Sequence, residues 1–312
     1  MTAAAAPGAM DERVEQAVAM LAAGVAADVA AAMSVLREAA DDGVAEAWRW
    51  LATLNAAGVG APQNWDVALD CLARAAEGGS ASARGQLLAL AEGSAAAADD
   101  WRGLRARVSP GEWLKRAPKQ VLSTTPRLVA VRGFLPRGAC EWLRQRAEGG
   151  LSQALLLTGE PPPADRTYRA HAFNFVDSDV VLLLTRARIA ANTSLPTGAF
   201  EVSQILHYRE GETFGLHWDY LRPEVAAEGA EIAANGQRIA TFLIYLNDGF
   251  EGGRTHFPRL DISFLGEPGD ALYWANIDAA GATDPATLHA GLAPIGGEKY
   301  LLSQGVRSLA RV

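Results

Sequence analysis

Histidine, lysine and cysteine are scarce in this chain, and where they fall is informative. His217 and Asp219 stand in the triplet His217-Trp218-Asp219. On a strand, residues i and i+2 project to one face, so the spacing predicts an imidazole and a carboxylate side by side. That pair is two thirds of the 2-His-1-carboxylate set that holds Fe(II) and leaves positions open on the ion. A His-x-Asp triplet alone is also common on exposed strands, so the third member decides. His289, in Leu288-His289-Ala290-Gly291, is the candidate, and ten residues later comes Lys299 in an apolar β-type run. Only Lys115 and Lys119 accompany it as lysines in the whole chain. A cation aimed into a barrel is costly without an anionic partner, and a dicarboxylate cosubstrate would supply one. The other histidines fit less well. His256 competes as a ligand but has no carboxylate at i+2, His207 should face away from Tyr208, and His171 has no supporting pattern.

These side chains need strands to position them. From Arg127 onward the sequence breaks into short β-type runs with Gly, Pro and Asn turns: 128–131, 200–209, 213–219, 238–246, 270–275 and 298–305. Many short strands with turn signals indicate an all-β barrel or jelly roll. Pro136 opens a helix carrying Cys140, Trp142 and Leu143, and 178–192 reads as a second helix. Ser152–Arg166 and Leu221–Gly236 read as long irregular lids flanking the site.

The first third differs in kind. Residues 1–100 contain 34 alanines and three aromatics, whereas the remaining 212 residues hold 28 alanines and 20 aromatics. Alanine is the best helix former but buries little area, so close-packed helices are expected. Ala39-Ala40-Asp41-Asp42-Gly43-Val44-Ala45-Glu46-Ala47 returns as Ala75-Ala76-Glu77-Gly78-Gly79-Ser80-Ala81-Ser82-Ala83. A period in the mid-thirties signals stacked helix pairs. Residues 92–112 read as a loose connector, and Lys115 to Lys119 as a solvated linker face.

Composition sets other classes aside. The net charge of −8 argues against nucleic-acid binding, which needs a basic surface. No run of 18 apolar residues lacks charge, so no membrane span is expected. The start Met1-Thr2-Ala3-Ala4-Ala5-Ala6 has no basic stretch before its apolar run, which argues against a secretory signal. Cys71 and Cys140 cannot make a disulfide framework, and a cytoplasmic location is expected. The oligomeric state is not legible.

Two resemblances follow from quoted residues. The stretch Ala45-Glu46-Ala47 through Gly58-Val59-Gly60, then Trp65-Asp66-Val67-Ala68-Leu69 and Arg74 to Gly79, resembles Sel1-like repeats, relatives of tetratricopeptide repeats. His217-x-Asp219, His289 and Lys299 resemble the iron- and 2-oxoglutarate-dependent dioxygenases of the prolyl 4-hydroxylase type. So do Arg166-Thr167, Tyr208-x-x-Gly211, Arg238-Ile239-Ala240-Thr241, Tyr245-Leu246-Asn247, Gly252-Gly253-x-Thr255-x-Phe257-Pro258 and Gly269-Asp270-Ala271. The resemblance spans about 126–307 in family order. It implies His217, Asp219 and His289 as iron ligands. Lys299 and Tyr208 would bind the distal carboxylate of 2-oxoglutarate, with Ser303 assisting. Arg238 and Phe214 would lie near substrate, Phe214 standing where a tyrosine is usual. Gly305-Val306-Arg307 departs from an aromatic Trp-Ile-Arg-like segment, and Thr287 stands where an aromatic lines the proline pocket. The implied cofactors are Fe(II), 2-oxoglutarate and O2, with ascorbate as an auxiliary reductant.

The expectation is therefore an α+β chain. A helical Sel1-like repeat region occupies 1–95, a linker 96–125, and a double-stranded β-helix (jelly-roll) catalytic domain with flanking helices 126–312. The expected activity is hydroxylation of a peptidyl proline in a protein, with the repeats docking the target. Two alternatives stand beside it: a hydroxylase of a small molecule such as a free amino acid, and a non-catalytic repeat adaptor.

Overall fold

The computed structural model describes residues 11–24, 26–93, 100–154 and 163–309. The chain divides into two units: residues up to Trp113 with Asn174–Leu184, and Leu114–Phe173 with Thr185 onward.

Alanine spacing and polar caps build the first unit. Its helices are α1 (Glu12–Ala22), α2 (Ala26–Asp41), α3 (Ala45–Ala57), α4 (Trp65–Glu77), α5 (Ala81–Leu90), α6 (Trp101–Arg107) and α7 (Pro110–Trp113). Asp11, Asn64, Ser80 and Asp100 accept hydrogen bonds from the first-turn N–H groups of α1, α4, α5 and α6, satisfying donors that a helix start leaves open. Small side chains let the helices approach closely. A Cβ added at Gly78 would sit 3.0 Å from that of Ala45. The two copies of the internal repetition fold alike. Val44 N–H donates to Ala39 O at 3.0 Å and Ser80 N–H to Ala75 O at 2.9 Å. Gly43 and Gly79 hold φ at +89° and +101°, where other residues are strained.

The loose connector expected over 92–112 is folded where described. Trp101, Leu104, Val108 and Trp113 are buried, giving that stretch an apolar face. The basic patch beyond it is engaged too: Arg116 Nε donates to Ala191 O at 3.0 Å and Lys119 Nζ to Asn192 O. These last carbonyls of a helix lack intrahelical donors, which is why cations settle there.

The second unit begins with β1 (Gln120–Thr124) and β2 (Arg127–Val131), then α8 (Arg137–Glu148) and β3 (Ser152–Gln153). β4 (Arg169–Ala172), α9 (Val180–Thr193, of which Val180–Leu184 belong to the first unit), β5 (Gln204–Tyr208), β6 (Phe214–His217), α10 (Ala226–Asn235) and β7 (Arg238–Tyr245) follow. The chain closes with β8 (Glu251–Gly252), β9 (Thr255–Phe257), β10 (Ile262–Phe264), β11 (Ala271–Ala275), β12 (His289–Gly291), β13 (Pro294–Ile295) and β14 (Lys299–Arg307). An eight-stranded sheet runs β1-β2-β11-β7-β14-β5-β4-β3, and a four-stranded sheet runs β10-β9-β12-β6. Every pairing in them is antiparallel. One apolar cluster draws Leu206, Tyr208, Leu243, Tyr245, Trp274 and Leu301 from the larger sheet and Phe257 and Phe264 from the smaller.

One of the two lid expectations changes. The Leu221–Gly236 segment contains α10 instead of an irregular lid, because Ala226-Ala227-Glu228-Gly229-Ala230-Glu231-Ile232-Ala233-Ala234-Asn235 is rich in helix formers. The Ser152–Arg166 segment is described only at its ends, so most of that expectation lies outside the described residues. Among the described residues no helix is long and apolar enough to cross a membrane.

Candidate metal and cosubstrate site

Strand pairing brings the histidines together. His289 on β12 is the direct cross-strand partner of His217 on β6. Asp219 lies two residues past the end of β6, in a bend and not on the strand. The carboxylate still reaches both imidazoles: Oδ1 is 3.5 Å from His217 Nε2, and Oδ2 is 3.7 Å from His289 Nε2. One ligand atom from each of the three residues lies within 4.8 Å of the others.

The ring nitrogens have divided roles. His217 Nδ1 is 2.8 Å from Gly215 O, and His289 Nδ1 is 2.9 Å from Thr287 O. A carbonyl only accepts, so each Nδ1 carries a proton and each Nε2 is the ring atom turned toward the carboxylate. Burial, with His217 nearby, pushes the His289 imidazole down to about 4, so it is neutral at physiological pH. Burial works against ionisation of Asp219, but the His289 and His217 imidazoles and the Arg238 guanidinium outweigh it and hold the carboxyl below its ordinary range. Two imidazoles and one carboxylate, the imidazoles pre-aimed by carbonyl hydrogen bonds, fit Fe(II) in ligand type and number.

A second pole lies on β14. Lys299 pairs in register with Tyr208 of β5, so both face the core cluster. Lys299 has no exposed surface. Its Nζ donates to Gly253 O at 3.1 Å and Leu292 O at 3.0 Å, and sits 3.8 Å from the centre of the Tyr208 ring. Among the described residues no carboxylate pairs with it. Burial pushes its amine down to about 7. Burial also raises the Tyr208 hydroxyl well above its ordinary value, so it keeps its proton and can donate. A Cβ at Gly291 would stand 3.1 Å from that hydroxyl oxygen, so the glycine keeps its approach clear. A buried amine without an anion, beside a phenolic donor, fits one carboxylate of 2-oxoglutarate.

Two connected spaces serve the site. A small cavity of about 40 Å3 is lined by Tyr208, His217, Asp219, His289 and Ser303. A cleft of about 870 Å3 shares His217, Asp219 and Ser303 with it and extends past Arg166, Trp218 and Arg238. Ser303 is thus at the junction, on the β14 face that carries Lys299. Phe214 lines both spaces and stacks parallel on the His217 ring, centroids 3.4 Å apart. It packs against the imidazole as well as facing the cleft.

Arg238 lines the cleft, yet its guanidinium is occupied. It pairs with both oxygens of Glu201, at 2.6 and 2.8 Å, and Nη1 donates to the backbone oxygen of Asp219 at 2.9 Å. Arg307 joins the same carboxylate at 2.6 Å. Gly305 makes room for this cluster, since a Cβ there would come within 2.7 Å of Glu201 Cδ. His256 bonds Ser263 Oγ at 2.7 Å, and His207 bonds Glu298 at 3.0 Å, so both stand outside the His217–Asp219–His289 group.

Sequence reading missed Glu201, Asn276 and the contact made by Thr241. Thr241 Oγ1 lies 2.6 Å from Asp219 Oδ2, and Asn276 Nδ2 lies 3.1 Å from the same hydroxyl. The available signal was alternation. Counting back in twos from Tyr245 through Leu243 puts Thr241 on the inward face of β7.

A 2-His-1-carboxylate face opening on a cleft, with a lone buried amine on the same core, belongs to an iron- and 2-oxoglutarate-dependent dioxygenase. The chain is similar to probable prolyl 4-hydroxylase 6 of Arabidopsis thaliana, with 31% identity over 201 residues, covering 57% of this chain and 68% of that protein. It is similar to prolyl 4-hydroxylase 1 of the same plant, 29% identical over 209 residues, covering 61% and 72%. Among solved structures, the viral collagen prolyl hydroxylase of Paramecium Bursaria Chlorella virus-1, a 2-oxoglutarate complex, is 25% identical with a TM-score of 0.46, covering 58% of this chain and 96% of that one. No family model matches the chain. The chain belongs to the prolyl 4-hydroxylase family.

Proposed function

We propose that this dioxygenase hydroxylates a peptidyl proline of a protein substrate. The observation that carries the proposal is the convergence of His217, Asp219 and His289 on one point, with the unpaired Lys299 buried on the same core. In this reading His217 Nε2, His289 Nε2 and an Asp219 oxygen hold Fe(II). Lys299 Nζ and the Tyr208 hydroxyl hold the distal carboxylate of 2-oxoglutarate, and the Ser303 hydroxyl assists from the junction of the two spaces. The two sheets then act as the halves of a double-stranded β-helix. When bound, iron and 2-oxoglutarate supply the oxidising chemistry: O2 is consumed, 2-oxoglutarate goes to succinate and CO2, and one oxygen atom enters a C–H bond. The protein supplies orientation and dryness. Phe214 and Trp274 pack against the imidazoles and shield them from water, since their rings lie 3.4 and 4.7 Å from those of His217 and His289. Arg238 and Glu201 hold the Asp219 backbone on the cleft wall. Ascorbate would serve as an auxiliary reductant.

The cleft is far larger than a free amino acid requires, which favours a peptide over a small molecule. The N-terminal helices, read as Sel1-like repeats, would dock the target. Two free buried cysteines fit a reducing compartment such as the cytoplasm. Purified protein with Fe(II), ascorbate and proline-containing peptides should produce succinate in step with peptides gaining one oxygen atom, and His289→Ala should produce neither. Succinate formation that ignores every peptide but responds to a free amino acid would replace the peptidyl reading with the small-molecule one.

A further inference from the structure

The two oxygens of the Asp219 carboxylate are not equivalent. Oδ1 faces His217 Nε2 at 3.5 Å. Oδ2 lies 3.7 Å from His289 Nε2 and only 2.6 Å from Thr241 Oγ1. Thr241 sits on β7, paired with Trp274 of β11 on one side and Gly305 of β14 on the other. Asn276 is the residue after β11 and is completely buried. Its backbone is fixed at both ends: the N–H donates to Ile239 O at 2.8 Å, and the C=O accepts from Asp284 N–H at 3.0 Å.

The direction of the Thr241 proton follows from the partners. A hydroxyl has one proton and two acceptor sites. If the Asn276 side chain turned its oxygen to Thr241, the proton would go to Asn276. A hydroxyl lone pair would then face an ionised carboxylate at 2.6 Å, which is repulsive. With the NH2 turned to Thr241, the amide fills an acceptor site and the proton is left for Asp219 Oδ2. The short distance is that of a charge-assisted O–H···O⁻ bond. This orientation leaves Asn276 Oδ1 as a buried oxygen with no hydrogen-bond partner among the described residues. An unmet buried acceptor costs stability, so a local gain must offset it.

We infer that Thr241 and Asn276 form a relay that engages Oδ2 of Asp219 and thereby selects Oδ1 as the single metal-binding oxygen. The inference rests on Asp219 being an iron ligand. Both are positioning residues, because they act through Asp219. Their effect is to stop the carboxylate from turning both oxygens to the ion, which would use a coordination position that O2 or cosubstrate needs. Arg238 holds the Asp219 backbone oxygen independently, so the relay controls the carboxylate alone.

The test uses Co(II) alone, titrated into the full-length metal-free protein and followed by its visible absorption. Thr241→Val keeps the side-chain shape and removes the donor. It should weaken Co(II) binding by about 10- to 100-fold, the usual range for loss of an outer-shell partner, and change the shape of the Co(II) band. Thr241→Ser should restore both affinity and band. Asn276→Leu should weaken binding less than Thr241→Val, since the hydroxyl remains but is no longer oriented. Circular dichroism checks that each variant is folded. Wild-type affinity and band in both Thr241→Val and Asn276→Leu overturn the relay. Should Thr241→Val fail to fold, Thr241→Ser and Asn276→Leu decide: wild-type binding by Asn276→Leu overturns it, and weakened binding there with intact Thr241→Ser supports it. A wild-type protein that takes up no Co(II) removes the metal-site assignment itself, and the relay with it.

Discussion

At the scale of single residues, Lys299 makes the sharpest prediction. Its amine sits near 7 when unpaired because burial disfavours the charge. A carboxylate arriving at Nζ favours the ammonium form, so the bound-state pKa must rise. At pH 8 the free amine is mostly neutral, and binding of 2-oxoglutarate should therefore take up a proton. At pH 6 the amine is already charged and uptake should vanish. Calorimetry in buffers of different ionisation enthalpy measures this, and equal proton uptake at both pH values would show that Lys299 does not meet the cosubstrate. Lys299→Ala should weaken 2-oxoglutarate binding by about 10- to 100-fold, the worth of a charged hydrogen bond, while Co(II) affinity holds. His217→Ala should lose metal binding and, with it, any visible absorption on adding Fe(II) and 2-oxoglutarate. The grouping of His217, Asp219 and His289 was legible because histidine is rare and the His-x-Asp spacing specific. Glu201 and Asn276 were not, since their partners Arg238 and Thr241 are remote in sequence and only strand pairing brings them near.

At the scale of elements, strand register does the positioning. Lys299 opposite Tyr208 and His289 opposite His217 are consequences of antiparallel pairing that no local pattern encodes. Alternation within a strand was readable, which is why β5, β7 and β11 fall inside the expected runs, while β14 runs two residues past the expected end at 305 to Arg307. Asp219 shows the limit: the face rule for strands was applied to a residue that lies beyond the strand end. Gly291 on β12 supplies a test of register. Gly291→Ala should press on the Tyr208 hydroxyl, raising the apparent KM for 2-oxoglutarate with Co(II) binding unchanged. A variant with unaltered KM would place the cosubstrate away from Tyr208. In the helical unit, Gly43→Ala and Gly79→Ala introduce no clash, because nothing lies within 4 Å of either new Cβ. Each should nonetheless cost about 1 kcal/mol, the strain of a left-handed backbone, read as a lower urea midpoint.

At the scale of the whole molecule, composition and contacts divide the chain in different places. Alanine content falls after residue 100, yet the helical unit also contains Asn174–Leu184, from within the expected catalytic domain. Sequence could not show this, because Val180 to Leu184 is as apolar as any core segment. Within that unit α1 packs against Phe175–Asp177. The Gln86 side chain, itself fully buried, accepts from Val180 N–H at 3.0 Å. A fragment beginning at Leu114 should therefore expose Val180 and Leu184 and aggregate, where the full chain does not; a monomeric, cooperatively folding fragment would contradict this. The same feature bears on how the protein is made. A ribosome delivers the chain in order, and the helical unit lacks one of its pieces until residue 184 has cleared the exit tunnel. The first unit synthesised is thus not the first that can close, and α1 to α7 must wait, incompletely covered, for β1 to β4 to be made.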